Sequence, residues 1–171
     1  MAGTAEFEAF AVARTPQLYR SAWLLCGNRH TAEDLVQETL AKVYVAWQRP
    51  LGRRPIDNAA AYAHTTLVRT FISSRRRRSS RERPTEVIPE QPGHDADPAL
   101  RTTLLAALAE LQPLDRAVLV LRFFDDLPVD QVAGLLEVSQ GAVRNRTMRA
   151  LARIREVLGS DFEELTQGGT R

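Results

Sequence analysis

Between residues 139 and 149 the chain reads Ser-Gln-Gly-Ala-Val-Arg-Asn-Arg-Thr-Met-Arg. Written on a helix, Gln140, Arg144, Asn145, Arg146, Met148 and Arg149 lie away from or beside an apolar stripe of Val143, Leu151 and Ile154. These residue types suit the edges of paired bases. An α-helix fits the major groove of B-DNA, arginine can bond guanine through two donors, and Asn or Gln can bond adenine in the same way. The remaining arginines of Arg144–Arg155, a stretch with five arginines and no acid, can neutralise phosphates, which position a protein without reading sequence.

The residues just before this helix supply a scaffold for it. Pro128 suits a helix start, where its missing N–H costs nothing. Val129, Val132, Ala133 and Leu136 are predicted to face inward, with Ala133 small where a second helix must approach. Glu137-Val138 makes the turn, Ser139 caps the next helix and Val143 returns to the core. Residues 128–148 therefore read as a helix-turn-helix; the plainer alternative is a helical hairpin with a solvated arginine face. The turn position favours glycine, so a left-handed Glu137 is expected to carry strain of about 1 kcal/mol.

A second concentration of charge is Arg75–Arg78. Basic residues at a helix C-terminus complement its dipole, but four in succession cover every side of a helix, which points to contact with an anionic backbone. A third surface, Glu33, Asp34, Gln37, Glu38 and Lys42, opposes the apolar stripe of its own helix; on physical grounds alone it is a solvated face.

Composition excludes several classes. The chain has 171 residues with 44% hydrophobic and 26% charged, so it can hold one medium domain or two small ones and is not wholly disordered. Its single cysteine, Cys26, rules out an internal disulfide, and with only three scattered histidines no zinc site is expected; Cys26 falls on an apolar side and reads as a buried thiol. No apolar run approaches the roughly 20 residues of a membrane span. Met1–Phe10 carries Glu6 and Glu8 and lacks a basic-then-apolar pattern, so no secretion signal is expected and the chain is assigned to the cytoplasm. His30, His64 and His94 sit in a turn, a basic helix and a polar stretch, without a nucleophile or paired acids beside them, and no phosphate-cradling glycine loop occurs. No enzyme, cofactor or metal is expected.

Helical periodicity recurs and strand-like alternation does not. Phe7, Phe10, Ala11, Leu18, Tyr19, Ala22 and Leu25 predict a helix or helix pair interrupted near Pro16 and closed by Gly27-Asn28. Ala32, Leu35, Val36, Thr39, Leu40, Val43, Tyr44 and Trp47 predict the next, with Thr31 as its start, Glu33 and Asp34 in its first turn, and Pro50 and Gly52 at its end. Asp57 or Asn58 caps a third, running to about Arg78 with Tyr62, Leu67, Phe71 and Ile72 inward. Residues 79–98 hold four prolines among acids and serines, the composition of a flexible linker. Periodicity resumes with Leu104, Leu105, Leu108 and Leu111 on one side, stops at Pro113, and continues in a helix over Leu114–Phe124 before the helix-turn-helix. The fold class is all-α: two small helical domains, 1–78 and 99–158, joined by the linker 79–98 and followed by a polar tail, 159–171.

Taken together, the motifs resemble an extracytoplasmic-function (ECF) sigma factor, the small two-domain specificity subunit of bacterial RNA polymerase, in its sigma-E-like form. Thr31-Ala-Glu-Asp-Leu-Val-Gln-Glu-Thr-Leu is similar to region 2.2, which docks on the β′ coiled coil. Ala61–Arg78, ending Phe-Ile-Ser-Ser-Arg-Arg-Arg-Arg, resembles regions 2.3 and 2.4, which open and read the −10 element. Leu108–Leu158 resembles region 4, which reads the −35 element and contacts the β flap. The resemblance implies core-polymerase contacts at Asp34, Gln37 and Glu38. For −10 DNA it implies Arg53, Arg54, Asn58, Arg69 and Ser73, with Arg75, Arg76, Arg77 and Arg78 on backbone phosphates. For −35 DNA it implies Gln140, Arg144, Asn145, Met148 and Arg149. Relatives often read Arg-Arg-Val-Leu-Val-Asn-Thr where this chain has His64-Thr65-Thr66-Leu67-Val68-Arg69-Thr70. The implied partners are core RNA polymerase, promoter DNA and an anti-sigma protein. Two other readings stay open: a free-standing helix-turn-helix regulator, and a sigma-like interaction module with altered promoter activity.

Overall fold

The computed structural model describes residues 2–48, 58–79 and 98–159. No strand occurs among them. The chain divides into two compact units, Met1–Val87 and Ile88–Arg171, each taken by itself below. The expected linker, apart from its first and last residues, and the tail beyond Gly159 lie outside the described residues, as do Pro50, Gly52, Arg53, Arg54 and Asp57.

In the first unit three helices share one core: α1 (Ala2–Cys26), α2 (Arg29–Trp47) and α3 (Ala59–Ser79). Leu18, Ala22, Trp23, Leu25 and Cys26 of α1 bury against Ala32, Leu35, Val36 and Val43 of α2 and Ala63, Leu67, Val68 and Phe71 of α3. At one end Phe7 and Phe10 meet Tyr44 and Trp47, with ring centroids 4.9 Å apart for Phe7–Tyr44 and 5.4 Å for Phe10–Trp47. Buried Thr39 spends its hydroxyl on the Leu35 carbonyl, 2.7 Å away, so it joins the apolar stripe without an unsatisfied donor.

Three expectations for this unit need correction. Pro16 does not interrupt α1, which is continuous. Its ring removes the N–H that would bond the Val12 carbonyl, but both residues are exposed, so water can take that acceptor. The start of α2 is Asn28 rather than Thr31: the Asn28 side chain accepts from the Thr31 amide at 2.8 Å, directly after Gly27, whose φ of +78° reverses the chain. Glu33 and Asp34 thus fall in the second turn, beyond the strongest pull of the helix dipole. Tyr62 is 38% exposed rather than inward. Asn58 does cap α3, accepting from the Ala61 amide at 3.0 Å.

The second unit contains α4 (Pro98–Ala109), α5 (Pro113–Leu119), α6 (Val129–Leu136) and α7 (Gln140–Leu158). Ala107, Leu108 and Leu111 pack with Ala117, Val118 and Leu121, with Val132 and Ala133, and with Val143, Ala150, Ile154 and Leu158. Leu104, expected inward, is exposed. The single helix expected over Leu114–Phe124 is α5 followed by a π-helical turn, Val120–Phe124. The wider turn bonds the Asp125 amide back to Val120 at 3.0 Å and buries Leu121 while leaving Phe123 and Phe124 exposed. Arg122 then fixes the exit, donating from Nη1 to the Leu127 carbonyl at 2.7 Å.

Candidate nucleic-acid interface

The helix-turn-helix forms as its residue types dictate. Val132 and Val143 are fully buried and Ala133 nearly so, which lets α6 and α7 approach closely. Between them Glu137 adopts φ 57°, ψ 43°, the left-handed region, and the amides of Glu137 and Val138 both return to the Ala133 carbonyl. Ser139 caps α7 by accepting from the Ala142 amide at 3.1 Å.

With Val143, Ala150, Ile154 and Leu158 turned inward, α7 exposes Gln140, Arg144, Asn145, Met148 and Arg149 along one face. These are the residues expected there. Arg144 donates to Gln140 at 3.3 Å, so the first turns present a joined set of amide and guanidinium groups. Met148 is 64% exposed; a thioether in water at the centre of this face offers apolar contact to a thymine methyl. Arg146 does not join them. It is half-buried, and its Nη1 lies 2.6 Å from Asp115 Oδ1 on α5, a structural ion pair in place of the expected phosphate contact. Arg153 bonds Glu156 at 3.1 Å and Glu110 at 3.3 Å; these two hydrogen bonds, Glu156 first, raise its pKa, and it too is committed within the unit.

In the first unit, Asp34, Gln37 and Glu38 lie exposed on α2, opposite its buried stripe. Asp34 is 3.8 Å from His30, and Glu38 is 2.8 Å from Lys42. On the same helix Glu33 pairs with Arg29 at 2.8 Å. Burial, and secondarily the Glu33 carboxylate, raise the pKa of Tyr19.

Helix α3 brings Arg69, Ser73, Arg76 and Arg77 to the surface. Tyr62, expected in the core, shares this surface instead: positions 62, 69, 73 and 76 align at helical spacing. An exposed ring in line with cations is the pairing used to hold single-stranded bases. Tyr62 is not among the residues expected to meet DNA, whereas Arg69, Ser73, Arg76 and Arg77 are. The arginine run itself divides. Arg75 is half-buried with its guanidinium carbon 5.6 Å from the Phe71 ring centroid, so packing does account for one of the four. Arg78 ends within α3, but its side chain is outside the description, as are Arg53 and Arg54. Among the described residues, no group of three or more His, Cys, Asp and Glu could hold a metal ion, and no helix is long and apolar enough to cross a membrane.

These two helical units match known protein regions in chain order. Residues 10–81 match sigma-70 region 2, and residues 101–154 match sigma-70 region 4. The class is that of sigma-70-type factors. The chain is 37% identical over 155 residues to the RNA polymerase sigma-E factor of Streptomyces coelicolor, covering 90% of this chain and 86% of that protein. It is 34% identical over 157 residues to the sigma-E factor of Streptomyces avermitilis, covering 91% and 86%. Among solved structures it is similar to the sigma factor RpoE of Bartonella quintana, solved in complex with the anti-sigma factor NepR, with a TM-score of 0.73, 25% identity, and coverage of 91% of this chain and 98% of that one. This chain belongs to the sigma-E-like ECF family of RNA polymerase sigma factors.

Proposed function

We propose that the chain is an alternative sigma factor that binds core RNA polymerase and directs it to promoters by reading −10 and −35 elements. The carrying observation is the exposed Gln140, Arg144, Asn145, Met148 and Arg149 face on a capped helix-turn-helix, within a chain matching sigma-70 regions 2 and 4 in order. Region 2 spans 1–78, the connecting segment 79–98, region 4 spans 99–158, and 159–171 is a polar tail. Asp34, Gln37 and Glu38 meet the β′ coiled coil, and region 4 meets the β flap.

For the −10 element, Arg53, Arg54, Asn58, Arg69 and Ser73 hold unpaired DNA, with Arg76, Arg77 and Arg78 on its phosphates. Tyr62 supplies a stacking surface beside them, and Arg75 contributes a charge anchored on Phe71. Asn58 has a second duty as the cap of α3, so its replacement tests both roles. Gln140, Arg144, Asn145, Met148 and Arg149 take the −35 duplex. The factor itself catalyses no covalent chemistry and works in the cytoplasm, where core polymerase supplies much of the binding and fixes the spacing of the two elements. The Bartonella relative's complex with an anti-sigma factor supports control by an anti-sigma protein here.

The test is capture of bacterial core RNA polymerase by the purified chain at low salt, followed by transcription from a library of randomised promoters. The expected result is a stable complex that enriches a two-element promoter. No affinity for the core enzyme would overturn the reading.

A further inference from the structure

We propose that Asp115 is a positioning residue that turns Arg149 from a phosphate anchor into a base reader. This rests on α7 being the −35-reading helix. Asp115 stands in the first turn of α5, a different helix, and its side chain is only 13% exposed. Two arginines of α7 converge on one of its oxygens: Arg146 Nη1 at 2.6 Å and Arg149 Nη2 at 3.7 Å from Oδ1. The two are held differently. Arg146 is largely covered and makes the close hydrogen bond. Arg149 is 66% exposed, so its guanidinium meets the carboxylate through Nη2 and stays largely open to solvent.

At 3.7 Å the Arg149–Asp115 contact is an ion pair without a hydrogen bond, but the attraction favours rotations of the planar guanidinium that keep Nη2 toward the carboxylate, which biases the direction of the fork left outward. Bidentate bonding to a guanine edge depends on that direction. Attraction to phosphate depends mainly on charge, which a carboxylate 3.7 Å behind the cation partly cancels. Asp115 therefore lowers the indiscriminate affinity of Arg149 for DNA and raises its selectivity. A residue that merely stapled α5 to α7 through Arg146 would do neither.

The test uses the full chain bound to bacterial core polymerase and a promoter library randomised at the −35 duplex, with a parallel measurement of the chain's affinity for unrelated duplex. Asp115→Asn keeps an oxygen for Arg146 and removes the charge. The expected result is a fall of about 5–10-fold in the ratio of best to unrelated sequences, confined to base positions that Arg149→Lys also changes, with a rise in affinity for unrelated duplex. An unchanged ratio, or equal weakening for every sequence, overturns the proposal. If Asp115→Asn does not fold, Asp115→Glu retains the charge and displaces the oxygen; altered preference at those same positions supports the proposal and an unaltered one overturns it. Arg144→Ala separates the layers: if it leaves duplex binding intact, the reading of α7 falls, whereas its loss of binding beside an inert Asp115→Asn removes the present inference alone.

Discussion

The ammonium of Lys42 lies 3.0 Å from the hydroxyl of Thr70 and 2.8 Å from the carboxylate of Glu38. Lys42 is the chain's only lysine. It ties the acidic face of α2 to buried Thr70 on α3, next to Arg69.

The exposed Glu38–Lys42 pair adds little to stability, and most of the effect lies in the bond to Thr70. Lys42→Met keeps the stem and removes the donor. It is expected to lower the unfolding free energy by about 1 kcal/mol, seen in urea as an earlier midpoint with unchanged slope.

Arg144→Ala and Arg149→Ala test the groove face. Each is expected to weaken −35-dependent binding by about tenfold or more, at about 1–3 kcal/mol per base-reading pair. The double variant is expected to abolish −35-dependent transcription while core binding survives, since neither side chain is buried. Promoter binding and polymerase capture on the same preparations decide this. Loss of capture by a folded double variant contradicts the assignment.

The turn of the helix-turn-helix stores strain that can be removed. Glu137 is left-handed, whereas Gly134, inside α6, has nothing within 4 Å of where a Cβ would stand. Gly134→Ala is expected to stabilise the second unit by about 0.4–1 kcal/mol by restricting the unfolded chain. Glu137→Gly relieves about 1 kcal/mol of backbone strain but restores unfolded-state freedom, so its net gain is smaller. Glu137→Val, β-branched, is expected to destabilise. Thermal melts of the three variants rank them.

Tyr62→Ala is expected to reduce open-complex formation by about tenfold, since stacking on one base contributes about 1–3 kcal/mol, while Tyr62→Phe retains most of it. Permanganate reactivity of unpaired thymines near −10 measures the difference. Equal opening by Tyr62→Ala and the parent chain would remove Tyr62 from the site.

Local spacing made much of this molecule legible. The stripe of α2, the Asn58 cap, the buried Cys26 and the whole helix-turn-helix follow from periodicity and capping, because each depends on residues a few positions apart. The failures have several causes. Arg146 and Asp115 are 31 residues apart, and no local pattern discloses that one arginine of a basic helix is claimed by a distant carboxylate. Tyr62 was expected inward for its aromatic side chain, but it stands five and nine residues before Leu67 and Phe71, on the opposite side of α3 from the buried Ala63, Leu67 and Phe71. Pro16 carried a correct local penalty, which exposure of the freed carbonyl made bearable. The π-helical turn after α5 has no composition signal of its own.

The aromatic cluster of the first unit has a spectroscopic consequence. Both tryptophans, Trp23 and Trp47, and all three tyrosines, Tyr19, Tyr44 and Tyr62, belong to α1–α3, while the second unit has phenylalanine alone. Intrinsic fluorescence therefore watches one half of the molecule and is blind to the other. A chain whose recognition helix had melted would glow unchanged, and only backbone dichroism or an added chromophore would register the loss.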